Sequence, residues 1–121
     1  MVKLFESERK AMELVWENEG ATAKVLSALA GSRIGWSKNT TYTVLTKLVE
    51  KQIVRREEPG FRCWSAIPRE EAAYSEAASV VNAFFGGSVK SLFASFLAKE
   101  KISEEELSEL REIIDRYQTD K

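Results

Sequence analysis

One stretch constrains this chain more than any other. It runs Trp36-Ser-Lys-Asn-Thr-Thr-Tyr-Thr-Val-Leu-Thr-Lys-Leu-Val-Glu-Lys51 and continues at once as Gln52-Ile-Val-Arg-Arg-Glu-Glu-Pro-Gly-Phe-Arg-Cys-Trp64. Thr41, Val44, Leu45, Leu48 and Val49 fall at i, i+3, i+4, i+7 and i+8, the spacing of a helix with one buried face. Ser37 is placed to cap that helix, with Trp36 just outside it against the core. The opposite face shows Asn39, Thr43, Thr46, Lys47 and Glu50, with Thr40 and Tyr42 at its edges and Ser37 and Lys38 at its start. Such amides, hydroxyls and amines hydrogen-bond to base edges and phosphates in a DNA major groove. The helix is expected to end near Lys51-Gln52. The strand formers Ile53–Arg56 and Phe61–Ile67 follow, separated by the turn residues Glu58-Pro-Gly60. Arg55, Arg56 and Arg62 would then lie on the hairpin, with a phosphate-contacting role for at least one of them. The plainer reading is that they decorate an exposed edge.

Two helices precede this stretch. The first covers about 6–18, with Ala11, Met12, Val15 and Trp16 inward, and Asn18-Glu-Gly20 stops it. Thr22 caps a short second helix, about 22–30, with Val25, Leu26, Ala28 and Leu29 inward. Three helices followed by a β-hairpin is the order of a winged helix-turn-helix domain, here residues 1–68.

Pro68 opens a different region, 69–121, expected to be a three-helix dimerisation domain. Its first helix runs to Gly86-Gly87. Ser88 caps a second, about 88–99, and Ser103-Glu-Glu-Glu106 opens a third through about Tyr117. Leu107, Leu110, Ile114 and Tyr117 step by three, four and three, like a coiled-coil seam. With Phe84, Phe85, Leu92, Phe93 and Phe96 they make more apolar surface than three short helices can hide on themselves. A homodimer is the simplest cover.

Composition narrows the function classes. Residues 1–68 hold 11 Lys/Arg against 8 Asp/Glu, whereas 69–121 hold 7 against 11, so a net charge of −1 conceals a basic half and an acidic half. Within 33–62 the balance is 7 to 3, which puts the positive charge on the proposed reading helix and wing. There is no histidine, and a single cysteine, Cys63, makes neither an intrachain disulfide nor a zinc site. Cys63 reads as a small core hydrophobe rather than a redox switch. Trp16, Trp36 and the phenylalanines read as core. Glu104, Glu105 and Glu106 read as a helix start, because no general acid, nucleophile or metal ligand accompanies them. No catalytic residues, metal or cofactor are expected. The start of the chain lacks an apolar signal core, and no segment approaches the roughly 20 apolar residues of a membrane span. A cytoplasmic protein without membrane insertion is expected.

These residues also carry a resemblance. Ala11-Met-Glu-Leu-Val-Trp16, Ala21-Thr-Ala23, Trp36-Ser37 with Thr40 and Thr43, Phe85-Gly-Gly-Ser-Val-Lys-Ser-Leu92 and the run Leu97–Leu110 resemble the penicillinase and methicillin-resistance repressor family, which includes copper-responsive repressors. The resemblance spans nearly the whole chain. It implies a winged-helix homodimer that blocks transcription from a palindromic double-stranded DNA operator, with contacts from positions matching Asn39, Thr40, Thr43 and Lys47. In the β-lactam branch it also implies a sensor-protease system that cuts the repressor in its dimerisation domain, at positions matching Ser95-Phe96. The chain departs from the family pattern at several points. Asn39 stands where lysine is frequent, Lys47 where arginine is, and Gln52 where glycine is usual. Ser95 replaces the asparagine of the family's scissile pair, and the cysteine-rich hook of the copper branch is missing, which argues against copper sensing.

Three function classes follow. The first is a sequence-specific repressor, the second a winged helix that docks proteins without DNA, and the third an enzyme. The inventory of side chains opposes the last, since it has no glycine-rich phosphate loop and no paired catalytic constellation.

Overall fold

Hydroxyl side chains set where most of the helices begin. In the computed structural model, which describes residues 3–117, Thr22 Oγ1 accepts from the Val25 N–H at 3.2 Å and Ser37 Oγ from Thr40 at 3.1 Å. Ser88 Oγ accepts from Ser91 at 3.0 Å, and Ser103 Oγ from Glu106 at 3.1 Å. Each satisfies one of the orphan donors of a first helical turn. The elements are α1 (Glu6–Glu17), α2 (Ala23–Arg33), α3 (Lys38–Glu50), β1 (Val54–Glu57), β2 (Arg62–Ser65), α4 (Arg69–Phe84), α5 (Val89–Lys99) and α6 (Glu104–Arg116). The protein is mainly helical, with a winged-helix arrangement and a helical C-terminal part.

β1 and β2 pair antiparallel, Val54 opposite Ser65 and Glu57 opposite Arg62. A further backbone segment joins them. Gly20 N–H donates to the Cys63 carbonyl and Cys63 N–H to the Ala21 carbonyl, both at 2.9 Å, and Thr22 bridges Arg62. Gly20 does more than end α1. Its φ is +84°, and a Cβ there would sit 2.7 Å from the Trp64 ring, so only glycine lets the chain pass under that indole.

The core lies among α1, α2, α3 and the hairpin, with Met12, Val15, Leu26, Leu45, Leu48 and Cys63 all buried. Trp16 and Trp36 are half-buried against it, and Trp16 Nε1 donates to the Ile67 carbonyl at 2.9 Å. On α3, Thr41, Val44, Leu45 and Leu48 are buried and Val49 is half-buried, as the periodicity requires. α2 departs from expectation. It runs three residues beyond 30, and Ala23, Leu26 and Ala30 are buried, whereas Val25 is 50% exposed and Ala28 is exposed. Apolar residues surround this helix, so their pattern selects no face; packing against α1 and α3 does.

The first compact unit extends to Ala77 and the second begins at Ala78, not at residue 69. The first turns of α4 belong to the N-terminal unit because they are pinned to it. Arg69 grips the Glu13 carboxylate at 2.6 and 2.8 Å and lies over the Trp16 ring, while Glu76 accepts from the Leu4 N–H at 3.1 Å.

Within the second unit, Val81 is the one buried hydrophobic residue among the described residues. Phe84 is 80% exposed, Phe96 52% and Ile114 64%, and Phe93 and Tyr117 are exposed as well. Phe85, Leu92, Ser95, Leu107 and Leu110 are half-buried. The phenylalanines expected in a core are therefore divided. Phe61 is buried, but Phe5, Phe84, Phe93 and Phe96 are open in the single chain, because the C-terminal helices contribute too few layers to cover them.

Candidate nucleic-acid interface

α3 presents a polar face with hydrogen-bonding groups to spare. Lys38, Asn39, Thr40, Thr43, Thr46 and Lys47 are all exposed. Among the described residues, the Asn39, Thr43 and Thr46 side chains make no hydrogen bond, and Lys47 makes neither a hydrogen bond nor an ion pair. These groups are available to a ligand without breaking an internal bond. The helix beneath them is packed into the core through Thr41, Val44, Leu45 and Leu48 on its opposite face.

Other expected site residues have structural partners. Ser37 is a cap, its hydroxyl engaged with both the N–H and the Oγ1 of Thr40. Tyr42 is half-buried, its ring edge-on to Phe61 with centroids 5.9 Å apart and planes at 87°. The Lys38 ammonium lies 5.6 Å from the Tyr42 ring centre.

The hairpin arginines are also engaged. Arg55 pairs with Glu57 at 3.0 Å and lies over the Trp64 ring, whose Nε1 donates to the same glutamate at 3.2 Å. Arg56 pairs with Glu58 and sits 3.7 Å over the Phe61 ring. Arg62 donates to the Gly20 carbonyl at 3.1 Å. The hydrogen bond from Arg55, with help from Trp64, holds the Glu57 carboxyl below the usual carboxylate range; Arg56, then the Phe61 N–H, does the same for Glu58. A guanidinium has five N–H donors, so one glutamate or one carbonyl leaves each of these arginines with donors for a phosphate.

Two features of the site were not anticipated from sequence. Lys51, at the end of α3, reaches the buried Glu8 carboxylate at 2.8 Å and lies over the Phe5 ring. This ties the C-terminal end of α3 to the start of α1. The second is the packing of Tyr42 on Phe61. Neither has a local signature, since Glu8 and Phe61 lie 43 and 19 residues from their partners.

Cys63 is fully buried, and burial pushes its thiol up to about 11, leaving a poor nucleophile and a poor metal ligand. Among the described residues, no group of three or more His, Cys, Asp or Glu side chains is arranged to hold a metal ion. Nor is any single helix long and apolar enough to cross a membrane.

The chain is similar in sequence to known repressors over most of its length. The chain is 26% identical over 112 residues to the methicillin resistance regulatory protein MecI of Staphylococcus aureus, covering 91% of each chain. It is 27% identical over 123 residues to the penicillinase repressor of Bacillus licheniformis, covering 98% of this chain and 94% of that one. The penicillinase repressor of Staphylococcus aureus is 26% identical over 115 residues, covering 93% and 91%. The profile of the penicillinase repressor family matches residues 4–116, which takes in both units, so the chain belongs to that family of DNA-binding transcriptional regulators.

Proposed function

We propose that the protein is a sequence-specific repressor that binds a palindromic operator as a homodimer, laying α3 of each copy in a major groove. The observation that carries this is the exposed polar face of α3, Asn39, Thr43, Thr46 and Lys47, on a helix whose other face is buried in the core. Asn39 and Lys47 supply groups suited to adenine and guanine edges, and Thr43 and Thr46 supply hydroxyls and methyls. Lys38, Arg55, Arg56 and Arg62 supply phosphate contacts that fix the position of the domain on the duplex. Lysine at position 47 offers a point charge rather than the bidentate fork of arginine, so the operator preference differs from that of relatives with arginine there. The relatives' names point to a resistance-type operon. Derepression by a sensor-protease that cuts between Ser95 and Phe96 belongs to the same reading. A repressor acts where the chromosome is, which places the protein in the cytoplasm.

The test is binding to a duplex from the promoter of its own gene, compared with a random duplex of equal length. Thr43→Ala and Lys47→Ala should each cost about 1–3 kcal/mol on the operator and relax preference at one base pair per half-site. Their melting temperatures should be unchanged. Equal affinity of the wild type for both duplexes would remove sequence-specific repression, and no binding to either would leave a winged helix that docks proteins without DNA.

A further inference from the structure

Phe61 occupies an unusual place. It is the last residue of the wing turn, just before β2, it is 7% exposed, and its backbone is left-handed at φ 53°, a conformation that L-residues other than asparagine and aspartate rarely adopt. That conformation is held from several sides. Phe61 N–H donates to Glu58 Oε1 at 3.2 Å, and the Phe61 carbonyl accepts from Ala23 N–H at the start of α2 at 2.9 Å. The Arg56 guanidinium covers one side of the ring, and the Tyr42 ring from α3 meets it edge-on. A column results: Lys38, Tyr42, Phe61, Arg56, with an aromatic pair in the middle and a cation at each end. The two cations stand on the two parts of the domain that touch DNA, the reading helix and the wing. The aromatic pair is a direct side-chain link between those two parts.

We propose that the Tyr42–Phe61 contact is the joint that sets the wing relative to the reading face of α3. Tyr42 is then a positioning residue and not a reader of bases. The inference rests on the DNA-binding reading above. It assigns Tyr42 a different role from Asn39, Thr43, Thr46 and Lys47, which are exposed and make no side-chain hydrogen bond among the described residues. Tyr42 is half-buried, its ring is already in use, and its hydroxyl makes no hydrogen bond among the described residues. What it contributes is the ring. An edge-to-face pair fixes distance and angle together, which an aliphatic side chain of similar bulk does not. If the joint is lost, the wing and α3 no longer reach the backbone of one duplex in register, and the loss falls on phosphate contacts, which carry no sequence information.

The experiment compares the full-length wild type, Tyr42→Leu and Tyr42→Phe on operator and random duplex across a salt series, with thermal melts to confirm folding. Leucine keeps apolar bulk against Phe61 but removes the ring; phenylalanine keeps the ring and removes the hydroxyl. Tyr42→Leu should bind both duplexes about tenfold more weakly, with the log–log salt slope flattened by about 0.9 for each phosphate no longer neutralised. Tyr42→Phe should restore the wild-type slope and affinity, which a role for the hydroxyl itself would not allow. The ratio of operator to random affinity should be the same in all three proteins. A collapse of that ratio in Tyr42→Phe would show that the hydroxyl reads a base and would overturn the proposal. A wild-type slope and affinity in folded Tyr42→Leu would also overturn it. A wild type with no operator preference would instead count against sequence-specific repression, while the slopes on either duplex still report on the joint.

Discussion

At the first turn of α1, the Glu8 side chain is buried to within a few per cent of completely, yet its position makes sense only if it is charged. Burial raises its pKa, but the hydrogen bond from Lys51, the Phe5 N–H and the charges of Lys51 and Lys47 outweigh that, and the net effect lowers it from 4.5. A carboxyl whose folded pKa lies below its unfolded one adds stability above the unfolded value and loses it as pH falls through the folded value. The contribution is therefore complete at neutral pH and fades below about pH 4.5. Glu57 and Glu58 are shifted the same way but are open to solvent, where screened pairs contribute little. Glu8→Gln should cost about 1.5–3 kcal/mol at pH 7, the range for hydrogen bonds to a charged group. The variant should also lose less stability than the wild type between pH 7 and pH 4. Urea unfolding at the two pH values measures both quantities, and equal acid sensitivity in the two proteins would refute the assignment. Because Lys51 caps the end of α3, the same substitution reports on what anchors that helix.

The end of α3 shows how one element is stopped. Gln52 N–H donates to the Val49 carbonyl and Ile53 N–H to the Leu48 carbonyl, both at 2.9 Å, and Gln52 sits at φ 64°. This is a Schellman motif, with Ile53 and Leu48 both buried in the core as its apolar accompaniment. A left-handed glutamine costs about 1–2 kcal/mol relative to glycine, and the freer unfolded chain of a glycine variant offsets about 0.4–1 of that. Gln52→Gly should stabilise the protein by about 0.5–1 kcal/mol. A rise in the denaturant midpoint at unchanged slope is the measurement, and a fall would mean that the glutamine side chain has a role its exposure does not reveal. At this scale the sequence was legible wherever a local rule decides. Thr22, Ser37, Ser88 and Ser103 marked helix starts, and the outer face of α3 followed from spacing alone. It was not legible where a distant partner decides. α2 has apolar residues all round, so only tertiary packing turns Val25 outward. The single bridge from Thr22 to Arg62, the grip of Arg69 on Glu13 that moves the unit boundary to 77, and the Tyr42–Phe61 contact join residues between 19 and 56 positions apart. The hairpin arginines were visible as charge, but their pairing with Glu57 and Glu58 depends on strand geometry.

Among the described residues, the second unit has Val81 as its one buried hydrophobic residue, while α5 and α6 carry Phe93, Phe96, Leu97, Ile113 and Ile114 in the open. Such a unit gains too little from self-burial to be stable alone, and helices of this length are marginal in water. In the proposed homodimer a second copy would provide the missing layer and join two copies of α3, so that once one half-site is bound the other meets a high local concentration. Stability of the second unit and affinity for a two-fold operator should therefore fail together. Leu110→Lys with Ile114→Lys puts two ammonium groups into the proposed seam. The variant should sediment as a monomer at micromolar concentration and lose at least about a hundredfold in operator affinity, the lower end of what joined sites supply. It should keep the weak half-site binding of the N-terminal unit. A cut between Ser95 and Phe96 should have the same effect by another route, detaching Phe96, Leu97 and all of α6 from the first turns of α5. That bond lies in the middle of a helix, so the protease must first open it locally. Mass spectrometry of the repressor from cells exposed to a β-lactam locates any cut. A monomeric wild type with undiminished operator affinity would exclude the dimer as the binding form, and an intact chain in fully derepressed cells would exclude the cut while leaving the DNA-binding assignment in place.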